Sequence, residues 1–340
     1  MPPDKQQNSV PASDELMHPL EAAPNFNESM YFNIADPRSR IGGFFRLGNR
    51  PNEGHAEMTV ALYLPGGRAA FMYRRPEISG NHALAAGGLS FEVARPFEDL
   101  VVRYQGEVLI LDEPMDMLDP KAAFTNSPRE VCEIEIRYAD VAPAWGGELE
   151  ARDESDTALA DFWKGHYEAH SHGVGTIRIG EQSWEVDGWG LRDHSWGPRT
   201  WQSISWYRWL CGNFERDGLV LSLIGIPTGP VRVGGALLIA GEYHPAREIE
   251  LDTDWDGDDL PSALRMKVTT ECGVHEISGA ILNTIPLRHR LQTEDGLRVS
   301  RIGEGYTEWS WNGRTGYGLS EYLDRIEDGR PAGLLTSVSG

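Results

Sequence analysis

The chain has 340 residues, 40% of them hydrophobic, and a formal net charge of -21 at pH 7. This charge excludes nucleic acid and an anionic membrane surface as partners, because both bind clustered Lys and Arg side chains. The lack of any run of about eighteen apolar residues excludes a membrane span. The acidic total favours an uncharged or cationic small ligand, although Arg192, Arg199 and Arg208 could form a local basic pocket.

The three cysteines are widely spaced and odd in number, which predicts neither a disulfide framework nor a paired-cysteine metal site. The first residues lack the basic start and apolar stretch of a signal peptide, so we expect a cytoplasmic location. The length of the chain favours two domains. We predict a flexible arm over residues 1–27, one domain over 28–199 and a second domain over 200–340.

Short β-rich runs separated by turns recur along the chain and predict an all-β protein built from closed barrels or sandwiches. Pro-Gly-Gly at residues 65–67, Gln105-Gly106 and Asn312-Gly313 predict tight turns. A short helix is predicted over residues 155–167, where apolar side chains share one face. The predicted strands cover residues 56–64, 68–73, 89–94, 100–104, 108–111, 130–138, 175–179, 184–187, 206–210, 219–226, 233–240, 263–270, 274–281, 298–302, 305–311 and 316–323.

Asp252, Asp254 and Asp256 begin like a calcium-binding loop. The position of the terminal Glu in that loop is taken by Ala263, and the flanking residues predict strands, so we favour a solvated acidic loop. Neither a nucleotide-binding glycine pattern, nor a phosphate loop, nor a Gly-x-Ser-x-Gly elbow occurs. The sequence therefore predicts no cofactor.

His166, His170 and His172 are close enough in sequence to suggest a zinc site. No Cys or carboxylate at a suitable spacing completes the ligand set. We therefore expect histidines that lie on the surface or between elements, and no metal.

Residues 190–199 read Gly-Leu-Arg-Asp-His-Ser-Trp-Gly-Pro-Arg and are the most unusual stretch of the chain. Charged side chains are seldom buried unless they are paired, and a Trp beside them indicates an apolar wall next to a polar cluster. This composition is typical of a ligand site. A buried ion-pair network gathers the same residue types and is the alternative.

An extended backbone here places Arg192, His194 and Trp196 on one face and Leu191, Asp193 and Ser195 on the other. We predict that His194 moves a proton and that the Trp196 indole stabilises positive charge on a substrate. Asp193 joins this catalytic pair only if a bulge redirects the backbone.

Aromatic residues crowd the sequence around this motif, and stacked indoles often line pockets for apolar ligands. We expect some of them to contact substrate, together with arginines that hold a polar end of it. The predicted substrate-binding residues are Arg192, Arg199, Trp189, Trp201, Trp206, Tyr207 and Glu321.

Arg192-Asp-His-Ser-Trp-Gly-Pro-Arg199 resembles the Arg-Asp-x-Ser-Trp-Gly-Pro-Arg signature of one branch of the carotenoid hydratase (hydroxyneurosporene synthase) and AttH-like superfamily. Residues 175–179 and 313–321 also resemble that branch. The resemblance implies two lipocalin-like β domains and cofactor-free activities, such as water addition to isoprenoid double bonds or cyclising steps. His194-Ser-Trp196 resembles the His-x-Trp element of the hydratases, whereas their Tyr-x-Asp element is replaced by Leu221-Ser-Leu223.

Two functions remain open. The first is a cofactor-independent lyase, hydratase, isomerase or cyclase that acts on a hydrophobic small molecule, such as a terpenoid, steroid or polyketide. The second is a non-catalytic, lipocalin-like carrier of a hydrophobic ligand. In either case we expect the pocket inside the N-terminal barrel or at the domain junction, and a homodimer is left open.

Overall fold

The computed structural model describes residues 10–148, 164–201, 203–226, 229–293, 296–335 and 337–340. In this part of the chain, 22 strands form two antiparallel sheets. A single α-helix, α1 (Pro120–Asn126), and three short 3-10 helices at Ala12–Glu15, Pro51–Glu53 and Pro114–Leu118 accompany them. No helix among these residues is long and apolar enough to cross a membrane. The prediction of an all-β fold is confirmed.

The first sheet forms a closed barrel. Its strands are β1 (Phe26–Asp36), β2 (Ile41–Arg50), β3 (His55–Tyr63), β4 (Ala69–Arg74), β5 (Ala85–Ala86), β6 (Leu89–Arg95), β7 (Asp99–Leu111), β8 (Arg129–Asp140), β9 (Trp145–Glu148), β10 (Gly165–Ile179) and β11 (Gln182–Pro198). They follow the order β4-β3-β2-β1-β11-β10-β8-β7-β6-β5, β9 pairs with β10, and an additional pairing of β4 with β7 closes the barrel. Apolar side chains such as Met30 and Phe32 fill its interior.

The second sheet contains the remaining strands. They are β12 (Trp206–Phe214), β13 (Asp217–Gly225), β14 (Arg232–Ile239), β15 (Glu242–Pro245), β16 (Glu248–Trp255), β17 (Pro261–Thr270), β18 (Gly273–Thr293), β19 (Gly296–Trp311), β20 (Arg314–Glu327), β21 (Arg330–Pro331) and β22 (Ser337–Ser339). Their order is β15-β14-β13-β12-β20-β19-β18-β17-β16-β22, and β21 pairs with β20. Trp309 and Trp311 are buried in its core.

The two sheets pack against each other through a shared apolar cluster, which includes Tyr31 and Phe44 of the first sheet and Trp209 and Tyr306 of the second. These side chains leave their strands on the faces opposite the two separate cores, because neighbours along a strand point to opposite sides. The chain passes from one sheet to the other between Pro198 and Trp206. The domain limits given above stay a prediction.

Residues 10–25 pack against the first sheet, whereas the sequence predicted a flexible arm over residues 1–27. Glu15 is only 1% exposed, and its carboxylate accepts hydrogen bonds from Arg192 and Tyr167 at 2.6 Å each. The ring of His18 stacks on Trp196 with 3.8 Å between centroids. The described part of the arm is therefore fixed by a buried ion pair that could not be recognised from local sequence.

Two local predictions differ from the structure. Most of the helix predicted over residues 155–167 lies outside the described residues, and its last three residues belong to β10. The turn predicted at Gln105-Gly106 is wrong, because β7 continues across both residues, paired with β8. The hairpin turn at Asn312-Gly313 is confirmed, with φ angles of 51° and 71°.

Gly190, the first residue of the motif, has no room for a side chain. A Cβ atom on Gly190 would lie 2.0 Å from the carbonyl oxygen of Asn33 on β1. Because both atoms belong to paired strands, we expect Gly190→Ala to lower the free energy of unfolding by about 3 kcal/mol. Urea unfolding measures this. Gly257→Ala, whose Cβ would have no atom within 4 Å, is the control, and equal losses in both variants would contradict this close approach.

Candidate functional site

Strand β11 carries the motif and presents its side chains to two different environments. Its pairing with β1 is continuous from Arg192 to Pro198, so no bulge redirects a side chain there. Asp193 pairs with Tyr31 of β1 and with Glu168 of β10. Asp193 and Ser195 therefore face the second sheet, whereas Arg192, His194 and Trp196 point into the barrel.

A cavity of about 1140 Å³ lies between the two sheets. On the side of the first sheet, paired residues form a row across seven strands: Tyr73, Thr59, Arg46, Tyr31, Asp193, Glu168 and Trp145. On the opposite side, the corresponding row of the second sheet contains Ser222, Trp209, Glu321 and Glu304. Every residue of both rows lines the cavity, so strand register within each sheet aligns these side chains along the cavity wall.

Apolar side chains form most of the remaining wall. Phe44 and Phe71 come from the barrel, Met117 and Phe124 from the segment around α1, and Ile224 from the second sheet. Ligand pockets of this size are usually lined by such side chains, with a few polar groups that orient the ligand. The cavity therefore fits a hydrophobic molecule with a small number of polar groups.

A histidine and two carboxylates meet on the wall formed by the first sheet. The Nε2 atom of His166 lies 3.9 Å from Asp193 Oδ2 and 3.9 Å from Glu168 Oε1. Burial alone would lower the pKa of His166, but the Glu168 and Asp193 carboxylates outweigh it and raise that pKa. The indole of Trp209 donates a hydrogen bond of 2.5 Å to Glu168 Oε1. The imidazole and the two carboxylates are therefore placed close together in the cavity wall.

Two further carboxyl groups face these residues from the second sheet. Burial raises the pKa of Glu304 to about 8. Burial and the nearby charge of Asp193 raise the pKa of Glu321 to about 8. The hydroxyl of Tyr31 is buried beside them and has no hydrogen-bond partner among the described residues. At pH 7 both glutamates are therefore largely protonated and can act as acids.

The opposite face of β11 forms a closed polar network inside the barrel. Arg192 donates to Asp140 at 2.7 and 2.6 Å and to Glu15 at 2.6 Å. His194 is fully buried, and its Nε2 lies 3.0 Å from Glu28. The His18 and His194 imidazoles hold the pKa of Glu28 at about 2, against the effect of burial. This is the buried ion-pair network that the sequence offered as the alternative to a ligand site.

The structure divides the predicted site residues into those that line the cavity and those that do not. Asp193, the residue predicted to need a bulge, faces the cavity without one, and His194 and Trp196, the predicted catalytic pair, do not line it. Of the predicted substrate-binding residues, Arg199, Trp201, Tyr207 and Glu321 line the cavity, and Arg192, Trp189 and Trp206 do not.

The predicted residues that do not line the cavity have other contacts. Trp189 contacts His172, and Trp206 lies in the core of the second sheet. Arg208, one of three arginines considered for a basic pocket, forms a buried ion pair with Asp324 at 3.0 Å. These side chains stabilise the two sheets.

Sequence reasoning missed several cavity residues. His166 and Glu168 lie in β10, at and just beyond the end of the predicted helix, and their alternation with His170 and His172 could have indicated a strand. Other missed residues are Tyr31, Arg46, Trp209 and Glu304.

The three histidines do not converge on a metal site. His170 lies 3.0 Å from the hydroxyl of Tyr243, and His172 lies 2.7 Å from Asp187, whereas His166 faces the cavity.

The acidic segment around β16 has protein partners. Asp254 forms an ion pair with Arg265 at 2.7 Å, and Asp256 accepts hydrogen bonds from the backbone of the following turn.

Two groups in the described residues bring three possible ligand atoms within 4.8 Å of one another: His18, Glu28 and His194, and His244, Glu271 and Cys272. In the first, hydrogen bonds between the two imidazoles and the carboxylate already satisfy these atoms.

The raised pKa values of Glu304 and Glu321 predict a pH-dependent stability. Between pH 4.5 and about 8 the folded protein keeps protons that the unfolded chain has lost. The contribution of each group to the free energy of unfolding therefore falls as pH rises, by about 1.4 kcal/mol per pH unit. We expect the Glu304→Gln/Glu321→Gln variant to lose this slope.

Urea unfolding of wild type and variant at pH 5, 6.5 and 8 measures the effect. The variant should gain stability relative to wild type as pH rises. Thr59→Val, a change in the same cavity that removes no titrating group, should keep the wild-type slope. Parallel profiles for wild type and the glutamine variant would contradict the assignment.

Comparisons with known proteins are informative mainly about the fold. A protein of Nitrosomonas europaea described as an AttH (NE1406) is similar with a TM-score of 0.59 and 14% identity, over 88% of this chain and 92% of that chain. CghA is similar with a TM-score of 0.54 and 10% identity, over 90% of each chain. A structure of CghA with Sch210972 gives a TM-score of 0.56 and 9% identity, over 91% of this chain and 90% of that one.

At the level of sequence, the chain matches a family model. No curated protein sequence matches the chain. A family model described as a domain of unknown function, DUF7064, matches residues 11–326. Because this match covers most of the chain, the protein belongs to the DUF7064 family.

Proposed function

We propose that the protein is a cofactor-independent lyase, hydratase, isomerase or cyclase that acts on a hydrophobic small molecule in the cavity between the two sheets. One observation carries this proposal: buried acid and base side chains from both sheets face a single, largely apolar cavity. Proton transfer by positioned side chains is the main chemistry available to such a site without a cofactor.

The second sheet supplies the acid. Glu321, protonated at pH 7 because its pKa is about 8, donates a proton to a double bond or carbonyl of the substrate. The π faces of Trp209 and Tyr207, which line the same wall, stabilise the positive charge that forms on carbon.

The first sheet supplies the base. His166 and Asp193, 3.9 Å apart, take a proton from the substrate or from an attacking water. One proton enters the substrate and one leaves it, and transfer from Asp193 to Glu321 restores the starting state. Carboxyl groups with different pKa values are a common way to divide acid and base roles within one site.

A non-catalytic carrier is the second candidate, since an apolar cavity alone would serve it. A carrier does not need buried carboxyl groups, and burying them costs free energy unless they have partners. Glu304 and Glu321 both lie in the cavity wall with less than a tenth of their surface exposed. Their presence favours an enzyme.

Similar proteins also support a small-molecule site. One of the similar structures is that of CghA with Sch210972, and the motif at residues 192–199 resembles that of the carotenoid hydratase superfamily. We propose, by analogy with both, that a small organic molecule binds here.

Ligand capture followed by turnover tests the proposal. The purified protein is incubated with a native-like small-molecule extract, and bound and converted compounds are identified by mass spectrometry. We expect wild type to convert a bound compound to an isomer or a hydrate, while Asp193→Asn retains that compound unchanged. Binding without conversion by wild type would favour the carrier.

A further inference from the structure

We infer that the ligand is an organic acid, and that Arg46 and Arg199 bind its carboxylate at one end of the cavity while its apolar body lies along the aromatic wall. This inference rests on the proposed function in one respect, because both place the ligand in the cavity between the two sheets. It does not depend on which reaction occurs there. It departs from the uncharged or cationic ligand that the net charge of the chain favoured.

Two arginines and a tryptophan form the proposed carboxylate site. The guanidinium carbon of Arg46 lies 5.3 Å from the ring centroid of Trp201, and that of Arg199 lies 5.1 Å from the same ring. All three residues line the cavity. Contact with an indole fixes the plane of a guanidinium group and leaves its edge for hydrogen bonds, which suits the planar, bidentate geometry of a carboxylate.

Positive charge exceeds negative charge at this end. Glu57 is buried and serves three guanidinium groups, those of Arg46 at 3.5 Å, Arg50 at 3.6 Å and Arg75 at 3.6 Å. Arg50 has a second partner, Glu53. Because the single negative charge of Glu57 is shared among three guanidinium groups at these distances, it neutralises the charge of Arg46 only in part.

The two glutamates of the second sheet do not restore the balance. Glu304 and Glu321 have pKa values of about 8 and are largely neutral at pH 7. Burial, followed by the charge of Arg46, lowers the pKa of Arg199 to about 9, although Asp193 acts in the opposite direction. A bound anion would relieve this repulsion between buried cations.

The backbone beside Arg46 is shaped to leave room for its guanidinium group. A Cβ atom on Gly48, two residues further along β2, would lie 3.0 Å from Arg46 Nη2 and 2.8 Å from Asn27 Oδ1. Arg46 Nη2 is buried and has no hydrogen-bond partner among the described residues. The Arg46 side chain as a whole is 16% exposed, and its donors suit a ligand group that only accepts hydrogen bonds, as a carboxylate does.

Another part of the cavity wall suits an apolar body. Phe44, Phe71 and Phe124 line the cavity together with Met117, and Phe71 packs edge-on against Phe124 with 6.3 Å between ring centroids. A molecule with a carboxylate at one end and a hydrocarbon body would fill both parts of the cavity.

Binding of a matched twelve-carbon series tests the inference. Dodecanoate, methyl dodecanoate, dodecan-1-ol and dodecylammonium are titrated at pH 7, below their aggregation limits, and followed by tryptophan fluorescence. We expect dodecanoate to bind at least about tenfold more tightly than the ester or the alcohol. Equal affinities, or a preference for dodecylammonium, would overturn the inference without the need for any variant.

Variants of the cavity residues show which side chains cause the preference for dodecanoate. Arg46→Gln and Arg199→Gln should each reduce the advantage of dodecanoate over its ester to less than about threefold, with little change in the affinity for the ester. Arg103→Gln, at an exposed ion pair on β7, should keep the full preference. Phe71→Ala should weaken the acid and the ester equally. If both arginine variants bound dodecanoate and its ester more weakly by the same factor, the preference for the acid would be unchanged. That result would show that the carboxylate binds elsewhere.

The outcomes separate this inference from the proposed function. A preference for dodecanoate in a protein that converts none of its ligands would support the carboxylate site and count against the enzyme. Turnover of a neutral compound by a protein that shows no preference for dodecanoate would support the enzyme and count against the carboxylate site.

Discussion

We expect Asp193→Asn to lower kcat by about 10²- to 10⁴-fold on the compound that ligand capture identifies. The side chain faces the cavity, lies 3.9 Å from His166 and is close enough to Glu321 to raise the pKa of that group. Asn keeps the shape of Asp193 but can neither accept a proton nor hold charge. Steady-state kinetics measures kcat, and equilibrium binding shows whether the ligand is still held.

His194→Gln, one residue further along β11, is the matched control. His194 is fully buried on the other face of the strand, where Gln can still donate a hydrogen bond to Glu28. We expect its folded fraction to keep kcat within about threefold of wild type, far less than the 10²-fold or larger effect of removing a proton-transfer group. If His194→Gln abolished turnover while Asp193→Asn did not, the catalytic face would have been assigned incorrectly.

The second large effect concerns stability. We expect Arg192→Leu to lower the free energy of unfolding by about 3–5 kcal/mol, because it leaves the Glu15 and Asp140 carboxylates buried without their cation. Arg192 is fully buried and contacts both at 2.6 Å. Urea unfolding with a two-state fit measures the loss.

An exposed arginine and a change of pH provide the controls for Arg192→Leu. Arg103→Leu removes an exposed arginine that pairs with Glu92 and Glu135, and should cost no more than about 1 kcal/mol. The pKa of Asp140 is already about 6, because burial outweighs the effect of Arg192. Without Arg192 it rises further, so the loss in Arg192→Leu should be smaller at pH 5 than at pH 8. A loss below about 1 kcal/mol at pH 8 would contradict the central role of this ion pair.

The strand pattern of the chain could be read from its sequence where one face of a strand is buried. Residues 130–138 alternate apolar and polar side chains, and β8 shows the same alternation of buried and exposed positions. Long strands were harder. Residues 298–302 and 305–311 were predicted as two strands, but they form one, β19, which pairs with β18 and β20 across Gly303 and Gly305. Glycine there does not mark a turn.

The residues that line the cavity could be predicted only in part, for a reason that local sequence does not contain. Alternation along β11 grouped Arg192, His194 and Trp196 correctly on one face. Which face meets the cavity is decided by the second sheet, whose Trp209 and Glu321 follow the motif by 10 and more than 100 residues. The barrel face is instead closed by residues 10–25, which carry Glu15 and His18.

A crystal structure of the protein with its captured ligand tests the central claim most directly. The ligand should lie between the two sheets, with a reacting atom within hydrogen-bond distance of Asp193, His166 or Glu321 and its apolar body against Phe71. A ligand bound inside the N-terminal barrel, in contact with His194 and Trp196, would contradict the account.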